Sequence, residues 1–311
     1  MNVVFSITDN YTAYCGVALC SLLENSKDVT VNVYIISDFI SDVNMHLLQQ
    51  QCGKYGATIH FKFLNQEQKT IIDNLTKKSK SHYHKSILYR LFISSLISED
   101  EALYLDSDII VVDKLSELGK IHPQQSLKAV ADVVRLSDYH RLQLDHTSHI
   151  YFNSGVLYIN LKYFRDNNIE EKLLSYLELH SESLWLTDQD TLNAVLKGTV
   201  GYLHPKWNCF TILFAKQSYL KNRVWYKDLR NIQEAISHPL IIHFVGQKPW
   251  QLGGFIPHRE TWIKYYKMSL WNNHIKMDYP NGMKGRLRFY TKKVIKMFLP
   301  FIAKKYIADI Y

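Results

Sequence analysis

Met1-Asn2-Val3-Val4-Phe5-Ser6-Ile7-Thr8-Asp9-Asn10-Tyr11-Thr12 opens the chain, and its reading decides the fold. Val3 to Ile7 reads as a strand, Thr8-Asp9-Asn10 as the turn that ends it, and Tyr11 to Leu23 as a helix. The alternation then repeats, with Val29 to Ile36 as a strand, Asp42 to Cys52 as a helix with Ser41 as its candidate cap, and Thr58 to Phe63 as a strand. Such a βαβαβ opening predicts a mostly parallel sheet with helices on both faces. Ligands bind such sheets beyond the carboxyl ends of the strands, where Asp9-Asn10-Tyr11 falls.

A later strand end carries Asp106-Ser107-Asp108, set between Ala102-Leu103-Tyr104-Leu105 and the run Ile109 to Val112. An extended chain turns residues i and i+2 to one side, so both carboxylates could hold one divalent cation. Two hard oxygen ligands leave positions on Mn²⁺ or Mg²⁺ that phosphate oxygens fill. Taken alone, Asp-x-Asp is ordinary wherever a strand turns. Its company makes it informative. The turn after the first strand contains no Gly-x-Gly-x-x-Gly, and the chain contains no Gly-x-x-x-x-Gly-Lys-Ser/Thr. That disfavours a dehydrogenase and a P-loop enzyme, and leaves phosphates to be neutralised by a metal and side chains. His238 to Phe244 reads as another buried strand, closing on Val245-Gly246-Gln247-Lys248-Pro249-Trp250. A lone strand-end histidine is more often a hydrogen-bonded core residue than a ligand. Here Gly246 permits close backbone approach and Lys248 supplies a point charge, so His243 is a candidate third ligand.

With 311 residues, 47% of them apolar and 21% charged, the chain has the composition of one large globular domain, or of one domain with an appendage. Cys15, Cys20, Cys52 and Cys209 form no Cys-x-x-Cys pair, so neither a zinc site nor a disulfide framework is read, and a reducing cytoplasm fits best. The first residues lack the basic start and apolar core of a signal peptide. The net charge of +8 is concentrated at one end: residues 259–311 hold twelve Lys and Arg against three acids, leaving 25 against 26 in residues 1–258. The expected division is a catalytic domain over 1–258 and a helical, basic, amphipathic tail over 259–311. In the tail, Arg286, Arg288, Lys292, Lys293, Lys296, Lys304 and Lys305 alternate with Leu287, Tyr290, Val294, Met297, Phe298, Phe301 and Ile302, with Pro300 as a kink. A membrane-surface anchor, a nucleic-acid patch and a helix packed on the core are the three readings. The aromatic and aliphatic face favours an anionic membrane surface. Met297 to Ala303, the longest apolar run, is far short of the roughly 20 residues a spanning helix needs. The expected location is therefore cytoplasmic, held peripherally on the inner face of the cytoplasmic membrane. A nucleic-acid partner is not expected, because residues 1–258 carry no net positive charge and no recognisable motif.

Asp9-Asn10-Tyr11, Tyr104-Leu105-Asp106-Ser107-Asp108, Phe152-Asn153-Ser154-Gly155-Val156, Asp188-Gln189-Asp190 and His243-Phe244-Val245-Gly246-Gln247-Lys248-Pro249-Trp250 occur in that order. Together they resemble glycosyltransferase family 8, and are most similar to its bacterial lipooligosaccharide galactosyl- and glucosyltransferases. The resemblance implies a GT-A fold, a single Rossmann-like α/β domain with a mixed sheet. It implies a UDP-hexose donor whose diphosphate is held by Mn²⁺, with Mg²⁺ as the alternate ion, on Asp106, Asp108 and His243. Ser6, Thr8, Asp9, Asn10 and Tyr11 match the uridine-binding turn, where Tyr11 would stack on uracil; Thr8 departs from the Asp of well-known relatives. Arg90, Ser107, Gly246 and Lys248 match positions around the diphosphate, and Asn153, Asp188 and Gln189 those that grip the hexose. Arg90 could instead snorkel from an apolar helix, and Asp188-Gln189-Asp190 could be an ordinary helix start capped by Thr187.

Family membership further implies retention at the anomeric carbon and an α-linked product. Lys248 with the metal would stabilise the departing UDP, Gln189 would sit near the sugar's β face, and Asp190 is the nearest carboxylate for a nucleophilic role. Same-face attack by the acceptor is preferred over a covalent intermediate. His82 matches an acceptor-side position within the polar stretch Ser79 to Lys85, which otherwise reads as a solvated lid. The Gly246 to Trp250 loop is one residue shorter than in lactose-using relatives, which disfavours lactose. A saccharide or lipid-linked glycan of lipopolysaccharide or lipooligosaccharide is the expected acceptor. A catalytically inactive homologue that binds UDP-sugar or glycan is the alternative.

Overall fold

The computed structural model describes residues 1–78, 84–115, 118, 122, 124–214, 229–252, 256–278, 282–287 and 290–291. Its main sheet has seven strands in the order β3-β2-β1-β4-β7-β6-β8: β1 (Asn2–Ser6), β2 (Asn32–Ser37), β3 (Thr58–Phe63), β4 (Glu101–Leu105), β6 (Leu127–Ala131), β7 (Phe152–Asn160) and β8 (Val200–Tyr202). The pairings within β3-β2-β1-β4 are parallel, as is β6 with β8, whereas β7 is antiparallel to both its neighbours. The sheet is therefore mixed, with only β7 reversed. That reversal brings the first residues of β7 to the edge where β1 and β4 end, pairing Leu105 with Val156.

The βαβαβ opening forms as its pattern predicts, with α1 (Thr12–Glu24) and α2 (Asp42–Lys54) between the strands. β2 starts at Asn32 instead of Val29, because Val29 N–H donates to Ser26 O in a turn. Ser41 does precede α2, yet its side chain makes no capping bond there; its hydroxyl and amide both donate to Asp9 Oδ1, at 2.9 and 2.8 Å. One face of the sheet packs through Phe5, Leu103 and Leu105 against Cys15 and Leu19 of α1 and Leu48 of α2. The other face is covered by α3 (Gln66–Lys78), α4 (Ile93–Leu96), α5 (Leu136–Arg141), α6 (Leu161–Asp166), α7 (Ile169–His180) and α8 (Thr187–Val195).

Ile109 to Val112 does not continue the main sheet. β5 (Ile109–Val111) pairs antiparallel with β10 (Ile241–His243), which pairs parallel with β9 (Cys209–Phe210), making a separate three-stranded sheet. Asp106-Ser107-Asp108 is thus a turn between two sheets rather than an extended stretch. The side of α1 away from the main sheet is covered too, which is why every residue from Cys15 to Leu23 is buried.

That cover comes from the C-terminal region. α9 (Leu229–Ser237) packs on the core through Ile232 and Ala235, and α10 (Arg259–Met268) sends Trp262, Tyr265 and Tyr266 into a cluster with Val17, Ile110, Ile242 and Phe244. Residues 259–275, grouped with the basic tail in the sequence reading, are packed against α1 and the two sheets. Trp271 lies directly on α1 at Gly16, where an added Cβ would stand 2.1 Å from the indole Cε3. Each such ring removes about 150–250 Å² from water. Beyond them, residues 282–287 are helical, with Met283 and Leu287 exposed. Pro300 and the apolar run Met297 to Ala303 lie outside the described residues. Among the described residues no helix is long and apolar enough to cross a membrane.

Candidate active site

The two-sheet turn meets the end of β10 because Phe244 N–H donates to Asp108 O at 3.0 Å and His243 pairs with Ile109. On the other side, Asp106 N–H donates to Gly155 O at 2.8 Å, tying the turn to β7. These backbone bonds bring ligand atoms of Asp106, Asp108 and His243 within 4.8 Å of one another. His243 Nε2 is 3.3 Å from Asp108 Oδ1 and 3.9 Å from Asp106 Oδ2. Gly155 makes the approach possible: a Cβ there would stand 2.2 Å from His243 Cε1 and 2.9 Å from Asp106 Oδ2.

Cationic side chains ring this cluster. Arg90, in the 3₁₀ segment Lys85–Phe92, is 7% exposed; its Nη2 donates to Asp106 Oδ1 at 2.7 Å and its Nη1 to Ser154 O at 2.8 Å. The same Nη1 is 3.1 Å from Asp188 Oδ2, and the guanidinium lies over the Tyr104 ring. Arg90 is therefore an organising charge inside the site rather than a snorkelling one. Tyr104, whose burial pushes its phenol well above the usual range, donates to Asp106 Oδ1 at 2.8 Å. Lys248 Nζ pairs with Asp108 Oδ2 and donates to Phe244 O at 2.9 Å. Burial alone would raise the Asp108 carboxyl; the Lys248 charge leads the opposing causes, which hold the group well below the carboxylate range. Asp188 goes the other way, its burial only partly offset by Arg90.

Asn153, Gln189 and Asp188 close the next layer. Ser154 Oγ donates to Asp188 Oδ2 at 3.1 Å, Ser154 N–H to Gln189 Oε1 at 2.9 Å, and both Asn153 Nδ2 and Gln189 Nε2 donate to Asp132 Oδ2, at 3.1 and 2.8 Å. Arg90 pairs with Asp106 and Asp188, and Lys248 with Asp108, so three carboxylates share two cationic side chains and formally one negative charge is left over. Two carboxylates and an imidazole would leave open positions on Mn²⁺, so these residues fit the metal that the fold family implies.

The turn after β1 stands beside this cluster, linked to it by Ser6 Oγ, 2.9 Å from Tyr104 OH. Thr8 Oγ1 donates to Asn10 Oδ1 at 2.5 Å, and Tyr11, 36% exposed, lies 5.3 Å from Tyr14 and 5.5 Å from His84 between ring centroids. Asp9 is committed to the scaffold. Asn44 Nδ2 joins the two Ser41 donors on its Oδ1, and these bonds outweigh burial to lower its carboxyl. Ser107 is partly exposed at the middle of the metal turn, and Gly246 takes φ +83°, which lets the loop turn towards Lys248. Trp250 anchors that loop by stacking on Tyr14 at 4.0 Å. His82 lies outside the described residues.

Asp190 faces away from the cluster. It is fully buried and accepts from Arg141 Nη1 and Nη2, Tyr151 OH, and the amides of Trp185 and Leu186, at 2.6–3.2 Å. Leu186, rather than Thr187, precedes the first turn of α8, and the Asp190 carboxylate secures that turn in place of a threonine cap. With both oxygens engaged, it is a structural acceptor and a poor nucleophile.

Three participants escaped the sequence reading. Asp132 follows β6 at the ligand-binding edge, so strand-end position could have found it; Arg141 and Asn208, isolated polar residues partnered far along the chain, carry no local signal.

A cation-ready turn at the ligand edge of a mixed Rossmann-like sheet, ringed by side chains suited to phosphate and sugar, defines a candidate nucleotide-sugar transferase site. Residues 2–252 match Glycosyl transferase family 8, and the chain belongs to that family. General stress protein A of Bacillus subtilis is 31% identical over 88% of this chain and 95% of its own length. The lipopolysaccharide 1,2-glucosyltransferase of Escherichia coli K12 is 28% identical over 93% of this chain and 83% of its own. The fold matches the crystal structure of the galactosyltransferase LgtC in complex with donor and acceptor sugar analogues, with a TM-score of 0.77 at 24% identity, over 88% of this chain and 99% of that one.

Proposed function

We propose that this glycosyltransferase moves galactose or glucose from a UDP-sugar to a saccharide acceptor of lipopolysaccharide or lipooligosaccharide, with retention and Mn²⁺ dependence. The observation that carries the reading is the convergence of Asp106, Asp108 and His243 within 4.8 Å, with Lys248 on the same carboxylate pair. The bound cation would supply Lewis-acid stabilisation of the charge that develops on the diphosphate. Lys248 adds a second positive charge there, Arg90 fixes Asp106, and Asn153, Asp188 and Gln189 present donors and acceptors for a hexose. The engagement of Asp190 favours same-face attack by the acceptor over a glycosyl-enzyme. A lipopolysaccharide glucosyltransferase relative and a galactosyltransferase fold neighbour support the substrate class. The basic residues after 282 are proposed to hold the enzyme on an anionic membrane surface, where a lipid-linked acceptor would meet it.

Release of UDP from UDP-galactose, UDP-glucose and UDP-N-acetylglucosamine, measured with and without Mn²⁺, tests the reading. Wild type is expected to hydrolyse one hexose donor in a metal-dependent way, with Asp108→Asn and His243→Ala at background. Equal, metal-independent release by all three proteins overturns it.

A further inference from the structure

We propose that Asn208 is a positioning residue that fixes the ring tautomer of His243, and that the sugar-side amides in turn dictate how Asn208 faces. The inference rests on the metal-binding reading of His243 and goes beyond it by assigning a residue and a proton position.

The argument starts from groups whose roles are not adjustable. A backbone N–H can only donate, and that of Gly155 points at Asn153 Oδ1 at 3.0 Å. On its other side the Asn153 amide stands 3.1 Å from an Asp132 carboxylate oxygen that also accepts from Gln189 Nε2 at 2.8 Å. Asn153 therefore has one satisfactory orientation, with its oxygen towards Gly155. Asn208 lies 2.8 Å from that same oxygen and must present Nδ2 to it. Its own oxygen is then turned to His243 Nδ1 at 3.0 Å, which must carry the ring hydrogen. Nε2, 3.3 Å from Asp108 Oδ1 and 3.9 Å from Asp106 Oδ2, is then the nitrogen left to bind a cation held by those carboxylates. The opposite tautomer would set two lone pairs against each other between residues that are 0% and 5% exposed, where no solvent relieves the repulsion. Gln189 is locked by the same logic, since its Oε1 accepts from Ser154 N–H. One hydrogen-bond relay thus runs from Gln189 through Asp132, Asn153 and Asn208 to Nδ1 of the ring whose Nε2 faces Asp106 and Asp108.

The test is nitrogen-15 NMR on the full chain with labelled histidine, holding Zn²⁺ as a diamagnetic stand-in for Mn²⁺, with His243 assigned by its loss in His243→Ala. Wild type is expected to be protonated at Nδ1. Asn208→Asp keeps an acceptor opposite Nδ1 and is expected to preserve that proton, while losing the donor to Asn153 Oδ1. Asn208→Ala is expected to give a mixture, and Mn²⁺ affinity measured by electron paramagnetic resonance is expected to fall about ten- to a hundredfold. Protonation of wild-type His243 at Nε2 overturns the proposal, as does an Asn208→Ala protein that keeps both tautomer and affinity. If wild type shows the Nδ1 proton but binds no Mn²⁺, the tautomer assignment stands and the metal reading falls.

Discussion

Gly155 lies directly beneath His243: a Cβ built on the glycine would stand 2.2 Å from the ring Cε1 and 2.8 Å from Nδ1. The imidazole cannot withdraw easily, because Asn208 holds its Nδ1 and the turn at Asp108 is bonded to Phe244. Gly155→Ala is therefore expected to displace the ring, lowering Mn²⁺ affinity at least about tenfold, the scale for disturbed support of a ligand. Titration calorimetry would check it, and unchanged affinity would show that the close approach is dispensable.

Two truncations should behave differently. Ending the chain after residue 258 bares the partners of Trp262, Tyr265, Tyr266 and Trp271, so loss of cooperative folding is expected in thermal unfolding. Ending it after Met283 removes only the segment proposed to touch lipid. That protein should release UDP at the wild-type rate yet no longer float with anionic liposomes, and persistent flotation would rule out the tail as the anchor. Gly16→Ala, which presses on Trp271, is expected to cost about 1–3 kcal/mol in denaturant unfolding.

Asp190→Asn is expected to act on stability. Removing one member of a buried ion pair leaves Arg141 to the longer 3.5 Å pair with Asp138 and costs about 3–5 kcal/mol. Intact-mass spectra of wild type held with donor sugar should show no glycosyl adduct; an adduct mapped to Asp190 would restore the covalent route.

The Asp9 bonds make a pH-dependent contribution. Its folded carboxyl lies below the unfolded value of about 3.9, so the stabilisation is fully present above that value and is lost as pH falls through the folded one. The gap in urea midpoint between wild type and Asp9→Asn should accordingly be widest near pH 6 and narrow below about pH 3. A gap that grows on acidification would contradict the Ser41 and Asn44 assignment.

The parts legible in the sequence are those whose cause is local. β1, α1, β2, α2 and β3 follow from apolar periodicity with polar breaks, and their limits shift by only a few residues. Asp106, Asp108 and His243 could be singled out because each sits at or near the border of an apolar run. What sequence could not show was that Ala102 to Leu105 and Ile109 to Val112 enter different sheets. The two runs look alike, and Val111 is paired by Ile241, far along the chain. The basic tail misled in a different way. Counting charge from residue 259 obscured the Trp262, Tyr265, Tyr266 spacing, a helical apolar stripe that buries itself on the catalytic unit. Asn208 and Arg141 act through contacts with residues far along the chain, which leave no periodic trace.

The reversal of β7 has a consequence for how this scaffold can diverge. Because β6 and β7 are antiparallel neighbours, the excursion between them leaves and re-enters the same sheet edge, and Asp132 N–H closes its base on Tyr151 O at 2.8 Å. No crossover helix has to be rebuilt when that excursion changes length or composition. Provided that Tyr139 stays in the core and Arg141 stays on Asp190, the rest of residues 133–150 can vary beside Gln189, altering what the enzyme meets on that side while the turn at Asp106 and Asp108, built on other strands, is inherited intact.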